Sequence, residues 1–377
     1  LAFARLCERA CAAHRIRGTS HARHMACAGW RFDDDRWTIV DIETSASAKP
    51  VTLGRPLRLA SLNCLHDLSL PDVLQHEVRQ DAICGELASL DADIIGLNEV
   101  TRSLLERLLQ QPWIREGYTV SVVPEDQSCE CVLTPAISGG GGGSFGNLLL
   151  SKIPPSMVEY VEQPGDHRYS HVMSLRLCDP RSRQPRSVVV CSTHLTACPW
   201  LMEGRRKMQL RHLTTELTAR ATGEPATYVV MGDYNFHREA ENVNIPDDWA
   251  EVPAVVALGT TWDFSRNAML AHYLPLQNIY NGLGLGASLG WQSAMRLDRV
   301  LVHGEAFACT EAKARLFADQ PIHERARARA PLPQTGPELR EAHRALPWQE
   351  YLHPSDHFGI LVELPLATAT PQTGPLL

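Results

Sequence analysis

Residues 227–236 read TYVVMGDYNF, and the interpretation of the whole chain depends on this stretch. A strand-like apolar run stops at Gly232, and a carboxylate, Asp233, and a carboxamide, Asn235, follow with one residue between them. Gly, Asp and Asn are also the ordinary residues of turns, because they tolerate unusual backbone angles or bond the local backbone. An isolated GDxN is therefore more typical of a turn than of an active site.

The composition allows a large folded enzyme. The 377 residues can bury a sizeable core, and 44% hydrophobic and 21% charged residues are ordinary for a globular protein. The formal net charge of −7 excludes a basic protein that coats nucleic acid by bulk attraction. A phosphate-bearing substrate would need a local positive cleft or a metal ion.

Cysteine usage and hydropathy indicate the compartment. Eleven cysteines without a CxxC pair argue against a disulfide framework or a zinc ribbon and favour a reducing compartment. No apolar run reaches about 18 residues, so no membrane span is expected. We therefore expect an intracellular protein, in the nucleus and/or the cytoplasm. We also expect a monomer.

Strand and helix patterns alternate from about residue 56 and predict a single α/β catalytic domain over residues 56–365. Residues 1–55 form a poorly defined N-terminal extension, which we expect to be disordered or a fragment artefact. The run SGGGGGS predicts a flexible Gly-rich loop at 138–144, and residues 305–352 are expected to be an insertion. Residues 366–377 are expected to be a disordered tail.

Polar side chains lie at or just beyond the ends of six predicted strands. They are Asn63, Glu99, His194, Asp233 with Asn235, Asp298, and Asp356 with His357. Folds of the α/β class assemble ligand sites at the ends of buried strands, where a rigid sheet meets open loops. Turn chemistry explains one such residue but not six, so GDYN is better interpreted as part of an active site.

The residue types fit a metal-assisted reaction on a phosphate. Hard oxygen ligands such as Glu99 and Asn63 suit Mg²⁺, which takes one or two carboxylates and keeps several waters. Each also has an ordinary explanation, because Glu99 could be a first-turn helix acid and Asn63 a turn residue. His194 could be a structural histidine or a hydrogen-bond partner of a phosphate.

The last two strand ends supply acid–base chemistry. Asp356 or Asp298 could orient His357, as general-base catalysis requires. Together with a metal ion, these groups make a set that can cleave a phosphodiester. Neither a GxSxG elbow nor a GxxxxGK[ST] loop occurs, which argues against serine chemistry and against P-loop nucleotide binding.

The ordered motifs LNCLHD, IIGLNEV, STHL, GDYN, RLDRV and SDH resemble those of the endonuclease/exonuclease/phosphatase superfamily over roughly residues 57–365. The resemblance implies a deoxyribonuclease I-like α/β fold, a four-layer sandwich of two packed mixed β-sheets flanked by helices. TTWDFSRNAML (260–270), AMRLDRV, SDHFGI and THL…EGRRKMQL resemble the tyrosyl-DNA phosphodiesterase 2 family. That family hydrolyses the bond between a DNA 5′-phosphate and a tyrosine left by a trapped topoisomerase, which implies a role in DNA repair.

The resemblance also implies roles for individual residues. Glu99 would bind Mg²⁺, for which Mn²⁺ is the expected substitute, with Asn63 beside the metal and the phosphate. The implied catalytic residues are Asp233, Asn235, His194, His357, Asp298 and Asp356, and the implied substrate-binding residues are Trp262, Asn267 and Asn147. Either Asp233 or His357 would remove the proton of the attacking water. Trp262 would stack bases of a single-stranded 5′ end or, equally, be a core residue.

Departures from the family pattern leave alternatives open. Leu65 stands where the family has an acid, and Asp67 is the candidate replacement. TACPW follows THL, and Phe236-His237-Arg238 follows GDYN where the family has Leu-Arg-Asp. The alternatives are another phosphodiesterase of the superfamily, acting on DNA, RNA or a sphingomyelin-like headgroup, and a non-catalytic binding protein with the same fold.

Overall fold

Secondary structure covers most of the residues that the computed structural model describes. These are residues 25–27, 29–40, 50–66, 74–124, 134–135, 144–166, 168–180, 184–197, 202–219, 226–267, 269–270, 294–322 and 352–367. Asp67, residues 138–143 of the Gly-rich loop, residues 323–351 of the expected insertion and residues 368–377 lie outside this description.

The described residues form five α-helices and nineteen strands. The helices are α1 His76–Ser89, α2 Arg102–Leu109, α3 Pro112–Gly117, α4 Glu203–Ala219 and α5 Pro253–Val256. The strands are β1 Met25–Cys27, β2 Trp30–Asp33, β3 Arg36–Ile39, β4 Val51–Thr52, β5 Leu57–Asn63, β6 Ile94–Thr101, β7 Thr119–Val120, β8 Thr134–Pro135, β9 Ser144–Ser151, β10 Met157–Glu162, β11 Tyr169–Cys178, β12 Pro185–His194, β13 Ala226–Asp233, β14 Ala250–Glu251, β15 Trp262–Asp263, β16 Ala294–Met295, β17 Asp298–His303, β18 Lys313–Phe317 and β19 Gly359–Leu364.

Most strands belong to two mixed sheets. Sheet I has eight strands in the order β1-β10-β11-β12-β13-β17-β14, with β4 paired to β11. Sheet II has nine strands in the order β18-β19-β5-β6-β9-β7-β2-β3, with β8 paired to β9. The pairs β12–β13 and β5–β6 are parallel, and most of the others are antiparallel. Strands β15 and β16 form a separate two-stranded ribbon.

Three hydrophobic clusters show how the layers stack. One cluster joins the facing sides of the two sheets, with residues such as Leu59 and Leu149 of sheet II against Val190 and Val229 of sheet I. A second packs α1, α2 and α3 on the outer side of sheet II, and a third packs α4 on the outer side of sheet I. Helix, sheet, sheet and helix therefore form four layers, and the predicted fold class is confirmed.

Helix α2 shows how the sequence builds an outer layer. The Thr101 side chain accepts a hydrogen bond from the Leu104 backbone N–H at 3.4 Å, which caps the first turn. Leu104, Leu105 and Leu108 recur at helical spacing and are buried against sheet II. Each such leucine contributes about 1.5–3 kcal/mol by its removal from water.

Two regions outside the predicted domain core carry regular structure. Strands β2 and β3 form a hairpin within the expected N-terminal extension, and β2 pairs with β7 at one end of sheet II. Strand β18 lies within the expected insertion and pairs with β19 at the other end of the same sheet. The alternation in these segments is short and half-polar, so it gives little signal in the sequence alone. No helix among the described residues is long and apolar enough to cross a bilayer.

A buried histidine links the two sheets. His171 of β11 is fully buried, and its Nδ1 lies 2.7 Å from the Ser121 hydroxyl oxygen, next to β7. The Tyr160 hydroxyl donates to the Ser121 carbonyl at 2.6 Å. Burial lowers the pKa of His171 to about 3, because an imidazolium at this position would lose its hydration. The folded protein therefore keeps this imidazole neutral.

Because the folded protein keeps His171 neutral, we expect its free energy of unfolding to decrease in acid. The unfolded chain binds a proton at His171 below pH about 6.5, whereas the folded protein does so only near pH 3. The free energy of unfolding should therefore fall by about 1.4 kcal/mol per pH unit from this residue, or about 2 kcal/mol between pH 6.5 and 5. Urea unfolding at pH 7 and pH 5 should show a smaller difference for His171→Gln than for the unchanged protein.

The matched control for this experiment is Ser121→Ala. It removes the hydrogen bond to the ring but leaves the buried imidazole, so it should keep the steep pH dependence. Equal pH dependence in His171→Gln and the unchanged protein would show that the buried ring does not contribute.

Candidate active site

The strands place the predicted site residues at one end of the sandwich. In sheet I the register pairs His194 with Asp233, and Asp233 with Asp298, at the ends of β12, β13 and β17. In sheet II, Asn63 is paired with Asn98 at the corresponding end of β5 and β6. Three adjacent strands thus present an imidazole and two carboxylates in one row, and the facing sheet presents carboxamides.

Gly232 allows the two sheets to meet at this row. Its φ of 139° belongs to a conformation that favours glycine, and a Cβ there would lie 1.9 Å from the Thr193 carbonyl oxygen and 3.0 Å from Asn98 Oδ1. Asn98 Oδ1 accepts the Asp233 backbone N–H at 2.9 Å, and Asn98 Nδ2 donates to the Thr193 carbonyl at 3.0 Å. The glycine before Asp233 is therefore required by close backbone approach.

Glu99 projects from a β-bulge. The pairing of β6 with β9 shifts between Leu97 and Val100, and Glu99 has a left-handed φ of 57°. A bulge redirects a side chain out of the strand's alternation, and a strained non-glycine residue of this kind is common at functional sites. Glu99 Oε2 accepts the His66 backbone N–H at 2.9 Å.

The Asn63 amide bridges the acids of the two sheets. Its Nδ2 donates to Glu99 Oε1 at 3.1 Å and to Asp233 Oδ2 at 3.0 Å. Its Oδ1 accepts the Leu65 backbone N–H at 3.0 Å, which closes a turn in which Leu65 has a φ of 53°. Leu65 thus serves the turn, at the position where the family pattern would have an acid.

Asp233 is surrounded by donors. The Asn235 backbone N–H donates to Asp233 Oδ1 at 2.7 Å, and Asn235 Nδ2 donates to Asp233 Oδ2 at 3.1 Å. Asn235 has a left-handed φ of 50°, which asparagine tolerates. Burial raises the pKa of Asp233 to about 7, opposed by the charge of His357 and reinforced by that of Asp298. The turn expected from GDYN exists, and it fixes Asp233 within the site.

His357 pairs with Asp298. Its Nδ1 lies 2.8 Å from Asp298 Oδ2, and its Nε2 lies 3.8 Å from Asp233 Oδ2. Burial acts to lower the pKa of His357, but the charges of Asp298, Asp356 and Asp233 outweigh it and raise the pKa well above its usual value. Of the two aspartates that could orient His357, the structure places Asp298 on its ring.

His194 has a different kind of partner. Arg168 Nη1 lies 3.1 Å from His194 Nδ1, while His194 Nε2 lies 3.5 Å from Asp233 Oδ2 and 3.8 Å from Glu99 Oε1. Burial and the positive charge of Arg168 lower the pKa of His194 to about 3. The two histidines therefore flank Asp233 with opposite electrostatic surroundings.

The remaining predicted residues lie in or beneath the site. Asp356 follows Ser355, whose hydroxyl donates to the Asn63 carbonyl at 2.5 Å. The negative charge of Asp356 acts to raise the pKa of both Glu99 and His357. Asn147 is buried and its Oδ1 accepts from Asn98 Nδ2 at 2.7 Å.

The other two predicted substrate-binding residues have structural contacts. Asn267 Nδ2 donates to the Ser355 carbonyl at 2.8 Å, and Asn267 Oδ1 accepts the Met269 backbone N–H at 3.1 Å. Trp262 is only 5% exposed and packs edge-on against Phe264 at 4.9 Å. The structure thus places Trp262 in a small core, which is one of the two roles that the sequence left open.

Several residues that hold the site are absent from the sequence-based prediction. Thr261 Oγ1 accepts the backbone N–H groups of Leu297 and Asp298 at 3.2 and 3.1 Å, and the Thr261 carbonyl accepts the Phe358 N–H at 2.7 Å.

Buried Arg79 connects the loop after Asn63 to the loop that holds His357. It donates to the carbonyls of Cys64, Leu65, Leu74 and Pro354. Thr261 and Asn98 lie inside quoted motifs, whereas Arg79 and Arg168 carry no motif signal.

The donor chemistry fits a divalent cation beside Glu99. No cluster of three or more His, Cys, Asp and Glu side chains suited to a metal occurs in the described part of the chain. Mg²⁺ does not require one, because it is held through one or two carboxylates and keeps waters. Burial acts to raise the pKa of Glu99, but His66 and His194 hold that pKa below its ordinary value. Glu99 is thus a carboxylate that stays ionised at neutral pH.

Comparison with known proteins identifies the family and the fold of the chain. A model of the endonuclease/exonuclease/phosphatase family matches residues 60–357. No curated protein matches the sequence significantly.

Three solved structures illustrate the structural likeness. A truncated TDP2 (tyrosyl-DNA phosphodiesterase 2) of Caenorhabditis elegans is 18% identical over 82% of this chain and 97% of that chain, with a TM-score of 0.51. A selenomethionine form of TDP2 from the same organism is 17% identical over 83% and 75%, with a TM-score of 0.52. The human Nocturnin catalytic domain is 15% identical over 86% and 99%, with a TM-score of 0.49. At these identities the C. elegans structures establish a shared fold, and the family match over most of its length shows that the chain belongs to the endonuclease/exonuclease/phosphatase family.

Proposed function

We propose that the chain is a Mg²⁺-dependent phosphodiesterase that hydrolyses 5′-phosphotyrosyl DNA ends, of the kind that a trapped topoisomerase leaves. Members of its family are generally hydrolytic nucleases and phosphatases and typically depend on a divalent metal. The predictions of a monomer and of a nuclear or cytoplasmic location remain predictions.

The proposal depends on one observation, the set of nitrogen atoms that surround the carboxylate oxygen Oδ2 of Asp233. Asp233 Oδ2 has four nitrogen atoms within 3.8 Å, namely Asn63 Nδ2 at 3.0 Å, Asn235 Nδ2 at 3.1 Å, His194 Nε2 at 3.5 Å and His357 Nε2 at 3.8 Å. The two amide groups already hydrogen-bond this oxygen, and their N–H groups are all used, since Asn63 also donates to Glu99 and Asn235 to the Leu195 carbonyl. The two histidine Nε2 atoms lie beyond ordinary hydrogen-bond distance of the carboxylate, so they can donate to another group. A phosphate is such a group, because its oxygens gain negative charge in the transition state and fixed donors stabilise that charge.

The residues divide the work by their contacts. Glu99 and Asn63 would hold the divalent ion, with Asp356 supporting that side, and the bound ion would neutralise charge on the phosphate. His357, backed by Asp298, would donate from Nε2 to a phosphate oxygen. Asp233, with a pKa near neutrality, would take the proton of the attacking water. Asn235 would hold Asp233 and the water in line.

The substrate is inferred from the motifs TTWD, RLDRV and SDHFGI, which resemble those of the tyrosyl-DNA phosphodiesterase 2 family. The fold likeness to the C. elegans proteins is compatible with this substrate. Two residues favour a second candidate, another phosphodiester substrate. Trp262 is buried where the resemblance implied a contact with the substrate, and Leu65 serves a turn where the family has an acid. A non-catalytic binding protein would not need these charged groups buried together, since burying them costs stability.

Asp233→Asn should abolish cleavage. The neutral amide cannot accept a proton from water, so kcat should fall about 10²- to 10⁴-fold, the usual contribution of a general base. Single-turnover cleavage of a 5′-phosphotyrosyl oligonucleotide measures this, with thermal unfolding as the check of folding. Asp248→Asn is the matched control and should retain activity, because this side chain is 61% exposed and lies beside His303, at the opposite end of β17 from Asp298. Wild-type kcat in Asp233→Asn would refute the proposed role.

A substrate panel should identify the leaving group and the metal dependence. We expect cleavage of 5′-tyrosyl DNA with Mg²⁺ or Mn²⁺ and none with EDTA, because the fixed donors alone do not neutralise the phosphate. The panel should include 3′-tyrosyl DNA, abasic duplex, RNA and sphingomyelin under the same conditions. Cleavage of sphingomyelin alone would overturn the DNA assignment, and full activity in EDTA would overturn the metal dependence.

A further inference from the structure

The two histidines of the site, His194 and His357, each have a charged partner at ring atom Nδ1, and the two partners have opposite charges. His357 Nδ1 faces a carboxylate oxygen of Asp298 at 2.8 Å, whereas His194 Nδ1 faces a guanidinium nitrogen of Arg168 at 3.1 Å. A carboxylate accepts a hydrogen bond and a guanidinium donates one. The nitrogen that faces Asp298 therefore carries a proton, and the nitrogen that faces Arg168 does not.

This contact fixes the chemistry of His194. Because Nδ1 accepts from Arg168, the ring proton is on Nε2, the atom that lies 3.5 Å from Asp233 Oδ2 and 3.8 Å from Glu99 Oε1. Nε2 is therefore a hydrogen-bond donor directed at the place where the phosphate would be. A second ring proton would put an N–H of Nδ1 against an N–H of Arg168.

Arg168 is itself rigidly held. Its Nε and Nη2 both donate to Asp166 Oδ2, at 2.9 and 2.5 Å. The same oxygen accepts from the Thr196 hydroxyl at 2.5 Å, and Gln209 of α4 donates to that hydroxyl at 2.8 Å. The side chains of Arg168 and Asp166 are only 11% and 13% exposed. The guanidinium thus has one nitrogen, Nη1, free of Asp166 and in contact with His194.

We propose that Arg168 is a positioning residue for the phosphodiesterase reaction: it holds His194 in the Nε2–H form, so that His194 donates to a phosphate oxygen and does not act as the base. This inference rests on the proposed function of the site. It separates the two histidines that the resemblance treats alike, because only the His357 ring has an Nδ1 partner that stabilises a positive charge. An ion pair that merely stabilised the loop between β10 and β11 would place Arg168 on Asp166 without requiring its contact with His194.

The direct test is the proton position in His194. In the full-length protein with ¹⁵N-labelled histidine, the two-bond ring correlations distinguish a protonated from an unprotonated nitrogen, and loss of one spin system in His194→Gln assigns it. We expect His194 to show unprotonated Nδ1 and protonated Nε2, and His357 to show protonated Nδ1. A protonated Nδ1 in His194 of the unchanged protein would overturn the proposal.

Substitutions at Arg168 test the consequence. Arg168→Met removes the donor, so Nδ1 of His194 should become protonated in part or in full, and kcat should fall about 10- to 100-fold, as for other residues that orient a site ligand. KM should change little, because the lost donor acts mainly on charge that develops in the transition state. Arg168→Lys keeps a donor and should restore the Nε2–H form and part of the kcat.

The matched control is Arg176→Met, the same change on β11, the strand that directly follows Arg168, at a position remote from the row of site residues. It should leave both the His194 spectrum and kcat unchanged. A wild-type spectrum and kcat in Arg168→Met would show that the ion pair is only structural. The spectra need no substrate, so inactivity on every substrate of the panel would refute the proposed function while the proton position of His194 still decides the role of Arg168.

Discussion

The side-chain amide of Asn98 holds the two sheets at the separation on which the site depends. It sits on β6 of sheet II and is fully buried, yet its Oδ1 accepts the Asp233 N–H and its Nδ2 donates to the Thr193 carbonyl, both on sheet I. Hydrophobic packing between sheets has no direction and tolerates sliding. The buried amide of Asn98 prevents such sliding, because its donor and its acceptor each bond one particular backbone group. Breaking either hydrogen bond would leave a buried polar group without a partner, at a cost of about 1–3 kcal/mol.

The hydrogen bonds of Asn98 also bring acidic side chains of the two sheets close together, which is unfavourable. Asp233 and Asp298 are buried, and Glu99 beside them has a side chain that is only 15% exposed. Removing such charges from water costs several kcal/mol per ion before they are paired. The surrounding loops offset the cost with bonds to backbone. Arg79 alone donates to four carbonyls, and the buried Arg206–Glu241 pair at 2.7 Å fastens α4 to the residues that follow Asn235. The bonds made by the surrounding loops therefore stabilise an arrangement of acidic side chains that would otherwise be unfavourable.

The fold was predictable because its signals are repetitive. Apolar strands, amphipathic helices and polar strand ends recur in order, and the register places His194, Asp233 and Asp298 in one row as strand-end reasoning expects. The side chains that orient this row were not predictable in the same way. Arg79 and Arg168 act through three-dimensional contacts with residues far away in the sequence, and nothing in their local sequence distinguishes them from surface arginines. The short strands of residues 25–39 likewise depend on tertiary pairing rather than on a strong local pattern.

The TTWD stretch shows why hydrolytic geometry is easier to infer than substrate. Its Thr261 accepts the N–H of Asp298 through the hydroxyl and the N–H of Phe358 through the carbonyl, so one residue aligns both partners of the Asp298–His357 pair. Its Trp262 fills the small core behind that residue. Both side chains act behind the Asp298–His357 pair, where packing demands are strict and independent of any leaving group. The motif is thus a support for the acid–histidine pair, on which the proposed phosphodiester cleavage would depend whichever leaving group the substrate carries.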